Sequence, residues 1–266
     1  MKKNIRYFLF IILLLLLTIS GVILLGFDFS YYKVEDKKDL LKKSKEKDTD
    51  DYETIGWLKI QGTNIDMPIL HPINKNWDYP VTKEKYAWIL ARDTKVDKKI
   101  DIVGHNIFNL SSQPRIESPL FNKFEQLMSF VYYDFAKENL YIQFSNEKGD
   151  FVYKIFSAGF EPVGYINDYY YVNYDNDKHG ILKGQLKYLK KDSLFDYDVD
   201  VDENDKFISL ITCTRFFGDN HYDFVVSGRL LREDEKIEKY VVKINKKNYK
   251  KIEDIMKGGI ENDEEV

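Results

Sequence analysis

The sequence predicts a mainly β fold: an eight-stranded β-barrel with peripheral helices, preceded by one N-terminal transmembrane helix. Three observations predict it. Tyr7 to Phe27 is a run of 21 residues without a charge, close to the ~20 a helix needs to cross a bilayer. From residue 52 to residue 232, short β-branched and aromatic runs recur between turn residues, the pattern of an all-β domain. Within that region two stretches place their apolar residues at helical spacing instead.

Lys2, Lys3 and Arg6 precede the apolar run. The positive-inside rule therefore puts the N-terminus in the cytoplasm and the chain beyond residue 28 outside. The run exceeds the ~7–15 residues of a signal-peptide core, and Leu24-Leu25-Gly26-Phe27 offers no small-x-small cleavage site. An uncleaved anchor over 1–27 is expected. Residues 28–51 are mixed Lys, Asp and Glu and read as a solvated spacer or short polar helix that holds a domain off the membrane.

Strands are expected at Ile55–Ile60, Ile65–Leu70, Tyr86–Arg92, Ile100–Gly104, Asn139–Ser145, Phe151–Phe160, Lys206–Thr212 and Phe224–Leu231. Asn146-Glu147-Lys148-Gly149 reads as a hairpin turn between two of them. Eight strands over this length suggest barrel closure, which removes exposed edges. Helices are expected at Ser118–Phe130, on Leu120, Phe124 and Leu127, and near 178–191, on Ile181, Leu182, Leu186 and Leu189. No regular structure is expected over Tyr165–Tyr174, which is rich in Tyr, Asn and Asp. Residues 233–266 form a charged C-terminal extension with a weak apolar stripe at Ile237, Val241, Ile244, Ile252 and Ile255. It reads equally as a helix packed on the barrel or a loose tail.

Charge excludes one function class. Lys and Arg total 40 against 44 Asp and Glu, a net charge of −4. Phosphate binding needs a basic surface, so no nucleic-acid partner is expected. An aromatic content of 15% argues against disorder. Cys213 is the sole cysteine, so no intramolecular disulfide forms and no thiolate zinc site is built. His71, His105, His179 and His221 show no metal-binding spacing. No cofactor or metal is expected.

Cys213 ends an apolar strand in Ser209-Leu210-Ile211-Thr212-Cys213-Thr214. Most lone cysteines are buried small hydrophobes. One unpaired thiol in an extracellular domain is unusual, and a strand end can hold a nucleophile rigidly at a cleft. The thiolate is the reactive form, so a partner must take its proton. His105 follows the apolar strand Ile100-Asp101-Ile102-Val103-Gly104 and is the leading partner. His71, in Leu70-His71-Pro72, is the runner-up. His179 and His221 read as solvated.

Val103-Gly104-His105-Asn106, followed about a hundred residues later by Leu210-Ile211-Thr212-Cys213 and then Phe224-Val225-Val226-Ser227-Gly228-Arg229-Leu230, resembles the sortases, membrane-anchored cysteine transpeptidases of Gram-positive bacteria. Their T-L-x-T-C signature is matched except that Ser209 stands at its first position. Gly56-Trp57-Leu58-Lys59-Ile60, then Asn64-Ile65-Asp66-Met67-Pro68-Ile69, and the helix near 178–191 resemble class B members. The resemblance covers residues 52–232 and implies a sortase barrel. It implies that Cys213 attacks a sorting signal near the C-terminus of a secreted protein. A thioester would form, and an amine of a peptidoglycan precursor or a pilin would resolve it. His105 would serve as acid and base.

One family position departs. Sortases carry an arginine just before the last strand, and Asp223 stands there. An ionised carboxylate would repel an oxyanion. Arg215, two residues past Cys213, is the candidate replacement. Arg229 shares strand parity with residue 223 but lies ~20 Å further along at ~3.3 Å per residue. Two other readings stand beside an active sortase. One is a membrane-tethered binding module of the same fold with weak or lost activity. The other is an unrelated cysteine peptidase, disfavoured because papain-like enzymes place Cys before His.

Overall fold

The computed structural model describes residues 7–8, 10–16, 31–73, 87–89, 99–104, 123–162, 179–214, 216–217 and 222–253. The chain divides into two units, residues 1–33 and 34–266. The first is helical at 7–8 and 10–16. Among the described residues no helix is long and apolar enough to cross a membrane. The expected span over 7–27 lies largely outside the described residues.

In the second unit, helix α1 (Lys38–Lys45) precedes strands β1 (Tyr52–Ile60), β2 (Asp66–Pro72), β3 (Ala87–Ile89) and β4 (Lys99–Gly104). A 3₁₀ helix (Lys123–Val131) and α2 (Tyr133–Ala136) lead into β5 (Tyr141–Asn146) and β6 (Gly149–Pro162). Then come α3 (His179–Asp192), β7 (Phe195–Tyr197), β8 (Phe207–Thr214), β9 (Tyr222–Leu230) and β10 (Val242–Ile244). Eight strands close in the order β1-β2-β3-β4-β8-β9-β6-β5, and β7 pairs β10 in a separate ribbon.

Alternation writes the barrel. Along β1 the residues from Thr54 alternate buried and half-buried, ending on Leu58 and Ile60, both fully buried. Strand β8 is buried at every residue but Cys213, and β6 without interruption over 152–159, because elements outside the barrel cover their second face. The expected hairpin forms at Asn146–Gly149, with Gly149 at φ 142°, a conformation other residues rarely adopt. Of the predicted helix at Ser118–Phe130, residues 118–122 lie outside the described residues, and the remainder forms a 3₁₀ helix over Lys123–Val131 with Phe124 and Leu127 fully buried. The helix near 178–191 forms as α3, and Leu186 and Leu189 are buried.

Two stretches differ from expectation. From residue 34 onward the spacer belongs to the compact unit. Lys37 is buried, its ammonium 2.7 Å from Glu35 and 3.0 Å from Asp66 on β2. A lysine reads as solvated in sequence, yet a partner 29 positions away holds this one down. The C-terminal extension is neither a single helix nor a loose tail through residue 253. Tyr240 donates its hydroxyl to the carbonyls of Leu140 and Ile155. Then β10 pairs β7, and a helix over 246–253 buries Ile252.

Candidate active site

The seam between β4 and β8 builds the site. These strands run parallel with Lys99 opposite Phe207 and Gly104 opposite Thr212. The last described residue of β4 thus stands beside the residue before Cys213. Thr212 is fully buried and its hydroxyl donates to the Gly104 carbonyl at 2.8 Å. Gly104 is required by close approach: a Cβ there would collide with the Phe124 ring. The 3₁₀ helix therefore presses on the strand end that carries the Gly-His motif.

Cys213 is half-buried between two buried threonines, Thr212 and Thr214. Side chains alternate along a strand, so the threonines turn to one face and Cys213 to the other. Past it, the Thr214 hydroxyl accepts the Phe216 amide at 3.1 Å and fixes how the chain leaves the strand. Phe216 stacks on Phe160 with ring centroids 4.9 Å apart, and Phe224 meets the same ring edge-on at 5.0 Å. This aromatic cluster anchors the ends of β6, β8 and β9 near the thiol.

Cys213 pairs directly with Asp223 on β9, and Asp223 pairs with Glu161 on β6. Directly opposed residues of antiparallel strands share a face. Cys213, Asp223 and Glu161 thus form one cross-strand row. Burial pushes the Asp223 carboxyl up to about 6. Glu161 is pushed up to about 8 by burial and by the neighbouring Asp192 carboxylate, against a smaller opposing pull from Lys191.

His105 and Arg215 lie outside the described residues. The alternatives to them are placed. His71 sits on β2, its Nδ1 3.3 Å from Glu53 across the β1–β2 ladder. Two strands, β3 and β4, separate β2 from β8. At ~4.8 Å per strand that is ~14 Å, beyond proton transfer. Arg229 is fully buried and grips Glu235 with both guanidinium nitrogens, one at 2.7 Å and one closer. It pairs with Phe207 at the opposite end of β8 from Cys213. Arg232 holds Asp205 and Asp200. Neither arginine serves the thiol. Among the described residues no group of His, Cys, Asp and Glu has the arrangement to hold a metal ion.

No family model matches the chain. It is 21% identical over 186 residues to Sortase B of Staphylococcus aureus, covering 67% of this chain and 70% of that protein. Its fold superposes on sortase B of Clostridium perfringens with a TM-score of 0.57 at 22% identity, over 73% of this chain and 100% of the other. This is the fold of the class B sortases. The Staphylococcus aureus sortase B–substrate complex gives a TM-score of 0.55 at 19% identity, over 76% and 87% of the two chains. Sortase B from Listeria monocytogenes gives 0.52 at 21%, over 73% and 100%. The strand that leads into Gly104-His105 and the strand that carries Thr212-Cys213 are neighbours, an adjacency beyond the sequence reading, which placed both residues at strand ends. The row joining Cys213 to Asp223 and Glu161 escaped the sequence reading. Counting inward from each strand end gives the 213–223 pairing, but Glu161 needs the register of β6, which a bulge between Ile155 and Ser157 shifts.

Proposed function

We propose that this chain is a membrane-anchored cysteine transpeptidase that cleaves a C-terminal sorting signal of secreted proteins and passes the acyl group to a cell-wall or pilin amine. The reading rests on one observation, the pairing of Gly104 with Thr212. His105 and Cys213 each follow by a single peptide link, ~3.8 Å between Cα atoms. His105 and Cys213 are therefore each the next residue in sequence after a paired position.

His105 takes the Cys213 thiol proton, the resulting thiolate attacks the scissile carbonyl carbon, and the C=O electron pair moves onto oxygen. Collapse breaks the C–N bond, and the amine leaves with a proton from the His105 imidazolium. The incoming amine attacks the thioester, gives its proton to His105 and expels the thiolate. Two modest barriers replace one high one. Arg215 is the proposed cationic contact to the oxyanion. Arg215→Ala is then expected to lower kcat far more than it raises KM, since the contact belongs to the transition state.

The test is capture of the acyl-enzyme. With sorting-signal peptides as donors, intact-mass measurement is expected to find an adduct on the wild type and none on Cys213→Ala. Peptide cleavage by Cys213→Ala at the wild-type rate would end the reading. Asp223 at the family's arginine position favours a second reading, a tethered binding module. It predicts peptide binding without any adduct.

A further inference from the structure

A carboxyl group stands where charge repulsion should forbid one. Asp223 is directly opposite Cys213 on the neighbouring strand and on the same face. Opposed residues in such a pair have Cβ atoms about 4.5–5.5 Å apart. An oxygen bound to the carbon that the sulfur attacks falls within reach of a side chain so placed. Among the described residues, no hydrogen bond or ion pair engages the Asp223 carboxyl.

We propose that Asp223, in its protonated form, donates a hydrogen bond to the oxyanion created when Cys213 attacks a carbonyl. This rests on the transpeptidase reading above and deepens it, with Asp223 taking the oxyanion contact in place of Arg215, whose guanidinium at the same oxygen would hold the carboxyl ionised. The family's arginine donates as a cation. Here the same position would donate as a neutral acid, and repulsion does not arise.

The surroundings shift the balance toward the neutral form. Burial disfavours a charged carboxylate, and it is the sole cause raising Asp223 to about 6. From β8 the group facing Asp223 is Cys213, and from β6 it is Glu161. Behind Glu161 lie Asp192 and Lys191 of α3. Glu161 is raised further than Asp223 and is itself mostly neutral at pH 7. It supplies no cation to hold Asp223 ionised. His105, Arg215 and His221 lie outside the described residues.

Atoms balance without net transfer from Asp223. The C–S bond forms, the carbonyl electron pair settles on oxygen, and the Asp223 proton is shared with that oxygen. On collapse the C–N bond breaks, the oxygen regains its double bond, and the proton stays with the carboxyl. The leaving amine takes its proton from His105.

The full chain in detergent, with p-nitrophenyl acetate as acyl donor, tests this without knowledge of the sorting motif. Acetylation is followed by intact mass for wild type, Cys213→Ala, Asp223→Ala and Asp223→Asn from pH 4.5 to 8.5. Asparagine keeps an N–H donor at every pH. The ratio of wild-type to Asp223→Asn rates cancels the titration of the thiol and imidazole. That ratio is expected to be flat below about pH 6 and to fall about tenfold per pH unit above it, the slope of a single proton lost. Asp223→Ala is expected to lose ~10²–10³ in rate at pH 5, the cost of one oxyanion donor. The carboxyl-carbon NMR signal of Asp223 is expected to titrate above the ordinary aspartate range. A flat ratio, a wild-type rate in Asp223→Ala, or ordinary titration of Asp223 each overturns the inference. Wild type no more acetylated than Cys213→Ala would instead sink the transpeptidase reading.

Discussion

The Thr212 hydroxyl donates to the Gly104 carbonyl at 2.8 Å, joining two residues 108 positions apart. It is a buried side-chain bond across the parallel seam, and it ties the residue before the thiol to the residue before the imidazole. Thr212→Val removes the donor and leaves a buried carbonyl short of a partner. The expected cost is ~1–3 kcal/mol of stability. Because the bond ties the strand end before Cys213 to the strand end before His105, kcat is expected to fall while KM holds. Denaturant unfolding and steady-state kinetics on one preparation check both.

His105→Ala is expected to lower turnover by at least the ~10²-fold typical of lost acid–base catalysis. His71→Ala is the control, since β3 and β4 separate its strand from β8. An active His105→Ala beside a dead His71→Ala would assign the imidazole to the wrong strand.

Arg229 and Glu235 make a stability prediction with a pH signature. The Arg229 guanidinium holds the Glu235 carboxyl down at about 2. A depressed acid stabilises the fold above its ordinary range near 4.5, and the gain is lost as pH falls through about 2. Glu235→Gln leaves a buried guanidinium uncompensated, a change that typically costs ~3–5 kcal/mol. Its Tm is expected well below wild type at pH 7, with the gap closing as pH falls toward 2. Per folded molecule, Cys213 acylation is expected to be unchanged, because Arg229 lies at the far end of β8.

Removing residues 1–27 is expected to release a soluble protein with its thiol chemistry intact. In cells stripped of their wall, added protease is expected to degrade the catalytic domain of the full chain. Protection from protease would reverse the proposed topology.

All eight barrel strands were legible in the sequence, because β-branched and aromatic runs bounded by turn residues mark strands whether one face is buried or both. The residues at the ends of β4 and β8 were legible for the same reason. What escaped depends on distant partners. The strands β7 and β10 have three residues each, too few for periodicity, and exist by pairing with one another. Lys37 looked like a surface charge until Asp66 came beside it. The predicted α-helix at Ser118–Phe130 tightened to a 3₁₀ helix, a distinction apolar spacing over so few residues does not encode. Asp223 was read as a carboxylate because sequence gives residue type but not burial. The burial that shifts its protonation comes from three strands brought together.

The β4–β8 seam also orders events in time. Strands 99–104 and 207–214 can join only after the intervening hundred residues have been made, and such distant parallel pairing is slow to form. During synthesis the chain therefore carries His105 long before Cys213 exists, and in the proposed mechanism a thiol without its neighbour strand lacks its acid–base partner. An unfinished or misfolded copy would be chemically quiet, and only the completed barrel would be armed.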